Sequence, residues 1–402
     1  MIRQQALPAE SRTTSRRAAR RRRLRAAATV AGLFLASRLW FWLIDWLAVR
    51  WLPHAYLITP PGYEPPWTVV SWIRAWANWD GFWYLSIAHS GYVDRPLASA
   101  FFPLYPLLLK LTGGSVWAGI LLSHVAFLAA LGLLYALTAA ELGERVARGA
   151  AAAMAFFPTA FYFGAVYPES LFLALALGAI WAARQGAWRW AGAMGALASA
   201  TSVYGVLLIA PMLWLGYLRH RRFEPEMAWS LAVPAGLIAY MAYLGLRFGH
   251  PLLFLSVQAY WGRHLTPLWL SVTAGWHAFL LWLRHLSAGA LFAPGYPQVG
   301  WSNLYNFLLT ALAAGVMLVS VGRLPGYLLL FGALVLAVPL SDPAQGLPWM
   351  SMPRLVLPAF PVYMGIGAWG TRHPTWSRLY YGVALPLGAL LTALFVTGHW
   401  VA

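Results

Sequence analysis

The 402-residue chain contains no cysteine. Without a thiol, a disulfide-built secreted domain, thiol catalysis and Cys-ligated zinc or iron–sulfur centres are all excluded. Charge is scarce as well. Asp, Glu, Lys and Arg together make up 10% of the residues, where a soluble domain carries about 25%. Eleven residues are acidic, and Lys110 is the sole lysine. No P-loop, G-x-S-x-G or H-E-x-x-H occurs, and the 10 His fall at no spacing that suits a metal. No nucleotide, resident metal or other cofactor is expected.

What fills the chain is apolar: 61% of residues are hydrophobic and the mean hydropathy is +0.62. A chain of this length has no interior large enough for so much apolar surface, so the surplus faces lipid. The 24 Trp and 19 Tyr suit interfacial belts, and equally a surface that handles sugar or lipid. The formal net charge is +17, and nine Arg lie in residues 1–25, including the run Arg20-Arg21-Arg22-Arg23. In a soluble protein such a tail would suggest nucleic acid. Here it abuts an apolar run from Ala26 to Leu52. It reads as the positive-inside signal of a cytoplasmic N-terminus, drawn to anionic headgroups, and nucleic acid is not an expected partner. The run is too long for the apolar region of a cleavable signal.

Apolar windows able to cross, or nearly cross, a hydrocarbon core of about 30 Å fall near 27–51, 115–140, 149–165, 168–184, 190–218, 228–247, 304–322, 325–341, 355–370 and 379–400. The window 190–218 is too long for one simple span and carries Thr201-Ser202-Val203-Tyr204-Gly205 in its middle. It reads as a hairpin of two short helices turning near the outer surface. Only that turn keeps both Arg184–Arg189 and Arg219–Arg222 on the cytoplasmic side. The expected fold is an all-α polytopic membrane protein of about 11 transmembrane or partly spanning helices. Residues 1–25 form a basic cytoplasmic tail and 26–402 a single membrane domain. Three stretches then face outward: a long first loop, 53–114, rich in Pro, Trp and Tyr; 248–303, again aromatic; and 341–354.

With so few carboxylates, each can be weighed. Glu10 is in the tail. Glu141, Glu144, Glu224 and Glu226 sit beside Arg in expected cytoplasmic loops and read as solvated surface charges. Asp45 lies inside the first span, where a carboxylate is costly and calls for a partner. Glu64, Asp80, Asp94, Glu169 and Asp342 fall at the outer face. Asp80 stands in Asn78-Trp79-Asp80-Gly81-Phe82-Trp83-Tyr84. With Asn78 as N-cap, it falls in a first helical turn, where the helix dipole keeps it ionised. It reads either as a helix-terminal charge or as a general base for a sugar hydroxyl. Glu169 follows Tyr167-Pro168, ordinary helix N-terminal grammar or a site carboxylate. Asp94 closes a turn or lines the site. The positive-inside rule does not account for two outward Arg: Arg263, in Gln258-Ala259-Tyr260-Trp261-Gly262-Arg263-His264, and Arg354, in Ser351-Met352-Pro353-Arg354. Each either snorkels at the interface or forks onto a phosphate.

The run NWDGFWYLSIAHSGY (78–92) followed by AFFPLYPLLLKL (100–111) resembles the first outer loop of the phosphatidylinositol-glycan class V type mannosyltransferases, polytopic lipid-donor glycosyltransferases of the GT-C class. The resemblance continues through FFPTAFYFGAVYPESLF (156–172), AGAMGALASATSVYG (191–205), WGR (261–263) and SMPRLVLPAFP (351–361). It implies an inverting transferase taking mannose from a polyprenyl-phosphate-mannose donor to a glycolipid or glycan hydroxyl at the non-cytoplasmic face of the plasma membrane. Asp80 matches the position of the base, and Glu169 and Arg354 fall on motif positions as site residues. Trp79, Trp83, Tyr84, Asp94, Tyr167, Gln258, Trp261, Arg263 and His264 complete the expected substrate-binding set. One departure is visible: Ser202 stands where relatives often have Arg. The Arg-dominated, Ala-rich composition looks bacterial, so the family's eukaryotic acceptor is not carried over. Open beside this reading are a lipid-linked-sugar flippase or transporter, a transferase for another hexose or a pentose, and a non-catalytic scaffold.

Overall fold

The computed structural model describes residues 9–55, 71–92, 95–287 and 298–401. Among them there is no strand, only isolated bridges joining Arg263 to Ala344 and Ala344 to Leu347. The chain is all-α. Among the described residues, six helical stretches are long and apolar enough to cross a membrane: Arg20–Trp51, Val116–Leu142, Val203–His220, Pro225–Phe248, Trp301–Val319 and Pro374–Val396. The basic tail, from Ala9, and the first apolar window form one uninterrupted helix, Ala9–Trp51. Arg22 on it pairs with Glu144.

The helix surfaces carry the polarity of a lipid-solvated protein. On the first helix Leu35, Leu39, Leu43 and Trp46 point outward, while Ser37, Arg38, Phe41 and Asp45 are buried. Apolar side chains thus recur outside at helical spacing and polar ones inside, the reverse of a soluble helix. Small residues let the inner helices close. Glu144–Ala155 packs on Pro361–Arg372 through Gly149 and Gly367, where a Cβ on Gly149 would lie 2.9 Å from Gly367 Cα.

The windows expected to span singly are interrupted where proline or a bend demands it. Residues 149–165 divide into the helix Glu144–Ala155 and a 3-10 turn Ala160–Phe163, with Pro158 between them. Residues 355–370 divide around Pro358 into Met352–Leu355 and Pro361–Arg372. Proline removes a helix donor and clashes with the preceding turn. The window 190–218 breaks at Ser202, which is extended (φ −162°, ψ 148°) between Trp188–Thr201 and the turn Val203–Leu208. There the chain doubles back: a Cβ on Gly205 would meet Ser199 N at 2.2 Å, so only glycine fits against the preceding helix.

The described part of 53–114 carries short helices: Ser71–Arg74, Ala75–Ala77, Asp80–Ser90, Pro96–Ala100 and Leu104–Leu111. Residues 248–303 differ from the expectation of an aromatic loop. They include a 20-residue helix, Leu268–Ser287, which packs on Gln298–Val319 with Phe279 stacked 4.1 Å from Phe307. Leu, Trp and Phe at helical spacing outweigh its polar residues in the packed environment.

Candidate functional site

Three segments distant in sequence meet at one cavity. The first is Asn78–Tyr84. Asn78 does not cap the helix as its position suggested. Its side-chain amide donates to the Phe395 and Val396 carbonyls, at 2.9 and 3.3 Å, binding the segment to the end of the C-terminal helix. The N-cap position is instead Trp79, held at φ +60°, ψ −117° with no side-chain cap bond. A non-glycine residue rarely adopts that region. Trp79 is fixed there by its indole N–H donating to His399 O (3.3 Å) and by edge-to-face packing on Trp400 (4.9 Å). The sharp turn aims Asp80, the next residue, into the cavity.

The second segment is Thr159–Glu169. Tyr167 lies fully buried beneath Asp80: its hydroxyl accepts the Asp80 N–H (3.1 Å) and donates to Asn78 O (2.8 Å). Burial, with Asp80 next in effect, pushes the Tyr167 hydroxyl well above its ordinary pKa, so it stays a donor. Thr159 donates to Pro353 O at 2.6 Å and so supports the third segment, Ser351–Arg354. Ser351 too has a positive φ, +69°, and turns the chain so that Arg354 reaches across.

Arg354 forms an ion pair with Asp80 and lies 3.3 Å, Nε to Oε1, from Glu169. Its guanidinium is also 5.4 Å from the Tyr167 ring centroid. Burial by itself lowers its pKa. Asp80 and Glu169 outweigh burial, and the group is held well above the ordinary arginine value. The two carboxylates differ in access: the Asp80 side chain is 24% exposed and that of Glu169 10%. Glu169 Oε2 is buried without a hydrogen-bond partner. Asp80 is therefore the more accessible of the two carboxylates.

Arg263 lines the same cavity. It donates to the carbonyls of Asp342 (3.1 Å) and Met350 (2.8 Å), joining its loop to residues 341–354. Burial lowers its pKa, with Asp342 acting against that. The backbone bonds Gln345 N to Gly262 O (2.9 Å) and Thr266 N to Ser341 O (2.9 Å) run alongside. Both terminal nitrogens of its guanidinium thus donate to protein backbone, where the sequence left Arg263 either snorkelling at the interface or forking onto a phosphate.

The cavity between these groups has a volume of about 310 Å³. Of the residues singled out from sequence, Asp80, Tyr84, Glu169, Gln258, Trp261, Arg263 and Arg354 line it. Trp79 and Tyr167 stand behind the wall and position Asp80. Trp83 stacks on Phe101 (5.2 Å, 14°), which lines the cavity in its place. His264 is exposed, and its ring faces Gly262 O. Asp94 and Glu64 lie outside the described residues. Asp342, already placed at the outer face by the sequence, lines the cavity too, and the structure adds Thr201, Ser202 and Tyr204 of the hairpin, along with Trp400. The hairpin was detectable through its place in the topology. Nothing local marks Trp400, which reaches the cavity only because the C-terminal helix ends there.

No group of three or more His, Cys, Asp or Glu able to hold a metal occurs among the described residues. The arrangement can hold an anion at Arg354, receive a proton at Asp80, and seat a ring between Tyr84, Phe101 and Trp261. Compared with known proteins, the chain matches no family model and no curated sequence.

Proposed function

We propose that the protein is an inverting glycosyltransferase of GT-C type. It moves mannose from a polyprenyl-phosphate-mannose donor to a hydroxyl of a glycolipid or glycan, at the extracytoplasmic face of the plasma membrane. The observation that carries the reading is the Asp80–Arg354–Glu169 cluster on the wall of an aromatic-lined cavity, within a bundle of apolar helices. Such a cavity suits a ligand whose head is a sugar phosphate and whose tail is hydrocarbon.

In this reading the phosphate of the donor lies on Arg354 and competes with Asp80 for the guanidinium. Asp80 then takes the proton of the acceptor hydroxyl. The acceptor oxygen bonds to the anomeric carbon from the face opposite the phosphate. The bond from anomeric carbon to phosphate oxygen breaks, and its electron pair leaves with the polyprenyl phosphate. Arg354, held protonated, offsets the charge that develops there. Glu169 balances Arg354 from behind.

The test is incubation of purified protein with radiolabelled polyprenyl-phosphate-mannose and a membrane lipid extract. The expected result is a labelled glycolipid, abolished in Asp80→Asn with donor binding retained. Near-normal turnover in that variant would remove Asp80 as the base. Movement of donor across vesicles without a product would replace the transferase with a flippase. Neither product nor movement would leave a scaffold.

A further inference from the structure

The first helix buries two charged side chains deep in its apolar stretch, and the proposed chemistry uses neither. Arg38 donates to Ala160 O at 3.1 Å and lies 4.5 Å from the Phe127 ring centroid. Asp45 is 0% exposed. Its Oδ2 accepts the indole N–H of Trp76 at 2.9 Å, and its Oδ1 has no hydrogen-bond partner. A carboxylate at such depth is costly to bury, and its one partner indicates what it holds.

Trp76 is the joint between two site-bearing segments. Its carbonyl accepts the Val166 N–H at 2.9 Å. Its ring lies 4.9 Å from Trp42, which also meets Trp72 at 5.4 Å. Four residues beyond Trp76 is Asp80, and one beyond Val166 is Tyr167, whose hydroxyl takes the Asp80 N–H and donates to Asn78 O. Glu169 follows two residues later. The irregular backbone of 75–79 and 164–168 is thus closed into one unit, and Trp76 joins it to the first helix through its hydrogen bond to Asp45 and its ring contact with Trp42.

We propose that Asp45 is a positioning residue for Asp80 and Glu169. It fixes the Trp76 indole, and Trp76 fixes the register between the two segments. The kinetic part of this inference rests on the transferase reading, while the structural part stands without it.

The experiment is hydrogen exchange of the full-length protein in lipid nanodiscs, for wild type, Asp45→Leu, Asp45→Asn and Trp76→Phe. Leucine removes the acceptor, Asn keeps one, and Phe removes only the donor with its five-membered ring. Exchange across 76–82 and 164–168 should rise about 10-fold in Asp45→Leu and in Trp76→Phe, the effect of losing one buried hydrogen bond on local opening. Asp45→Asn should stay near wild type, and Gly326–Leu340 should stay unchanged in all. The double variant should be no worse than either single one. In the transfer assay kcat should fall with the donor KM unmoved. Unchanged exchange in 76–82 and 164–168 would overturn the proposal. So would an equal rise in Gly326–Leu340, which would make Asp45 a general packing residue. If Asp45→Leu does not fold, Trp76→Phe carries the same two outcomes. Raised exchange in a protein without transferase activity would sink the functional reading and leave the positioning role standing.

Discussion

Asp80 and Arg354 are ion-paired across 274 residues of chain, and each follows a non-glycine residue with positive φ, Asp80 directly after Trp79 (+60°) and Arg354 three residues after Ser351 (+69°). Among the described residues the only other such position is Arg221, away from the cavity. Backbone strain of this kind costs about 1–3 kcal/mol per residue and persists where the surroundings over-determine it. Here it is concentrated on the two turns that bring a carboxylate and a guanidinium together.

Replacing Arg354 separates charge from geometry. Arg354→Lys keeps a cation but cannot fork toward Asp80 and Glu169 together. We expect transfer to fall at least about 100-fold, the scale of losing one charge-stabilising group. Arg354→Gln should lose donor binding as well. A lysine variant with wild-type turnover would remove the phosphate role from Arg354.

Ser351→Val tests the strained turn. A β-branched residue at φ +69° is strongly disfavoured. The expected cost is about 1–2 kcal/mol, read as a lowered thermal midpoint, together with weaker donor binding. Ser351→Gly should be at least as stable as wild type.

Arg263→Lys tests the tie between the two loops. It loses the fork that reaches both the Asp342 and Met350 carbonyls. A hydrogen bond to a charged group is worth about 1.5–3 kcal/mol, so exchange over 341–354 should accelerate while the Asp80–Ser90 helix is unaffected. Unaltered exchange over 341–354 would remove Arg263 as the tie between the two loops.

Asp342 gives a pH dependence. Burial raises its pKa, and Arg263 only partly offsets this. The folded protein therefore keeps the Asp342 proton to a higher pH than the unfolded chain does. Its contribution to stability is largest at or below the ordinary carboxylate pKa and is lost as pH rises through the raised one. Asp342→Asn lacks this titration. The stability of the variant minus that of wild type should grow with pH across that window and level off above it. Unfolding midpoints of both proteins over a pH series measure it, and a flat difference would contradict the shift.

Gly205→Leu should collapse the hairpin, because the new side chain has no room at Ser199. Overpacking of this kind costs about 1–3 kcal/mol or more. Reduced yield and a lowered thermal midpoint are expected, with Thr201 and Ser202 displaced from the cavity wall.

Composition alone determined the membrane class, since hydropathy sums over the chain and does not depend on how it folds. Local grammar determined the helical content, the break at Ser202 and the prominence of Asp80, because turn residues and apolar runs act within a few positions. Only the tertiary structure decided that Asp80, Glu169 and Arg354 form one cluster, that Arg263 spends its fork on backbone, and that Asn78 binds the C-terminal helix rather than capping its own. Those outcomes depend on which segments the packed bundle brings within a few ångströms of each other. Separations of 89 to 317 residues, as between Tyr167 or Phe395 and Asn78, leave no periodic trace in the sequence.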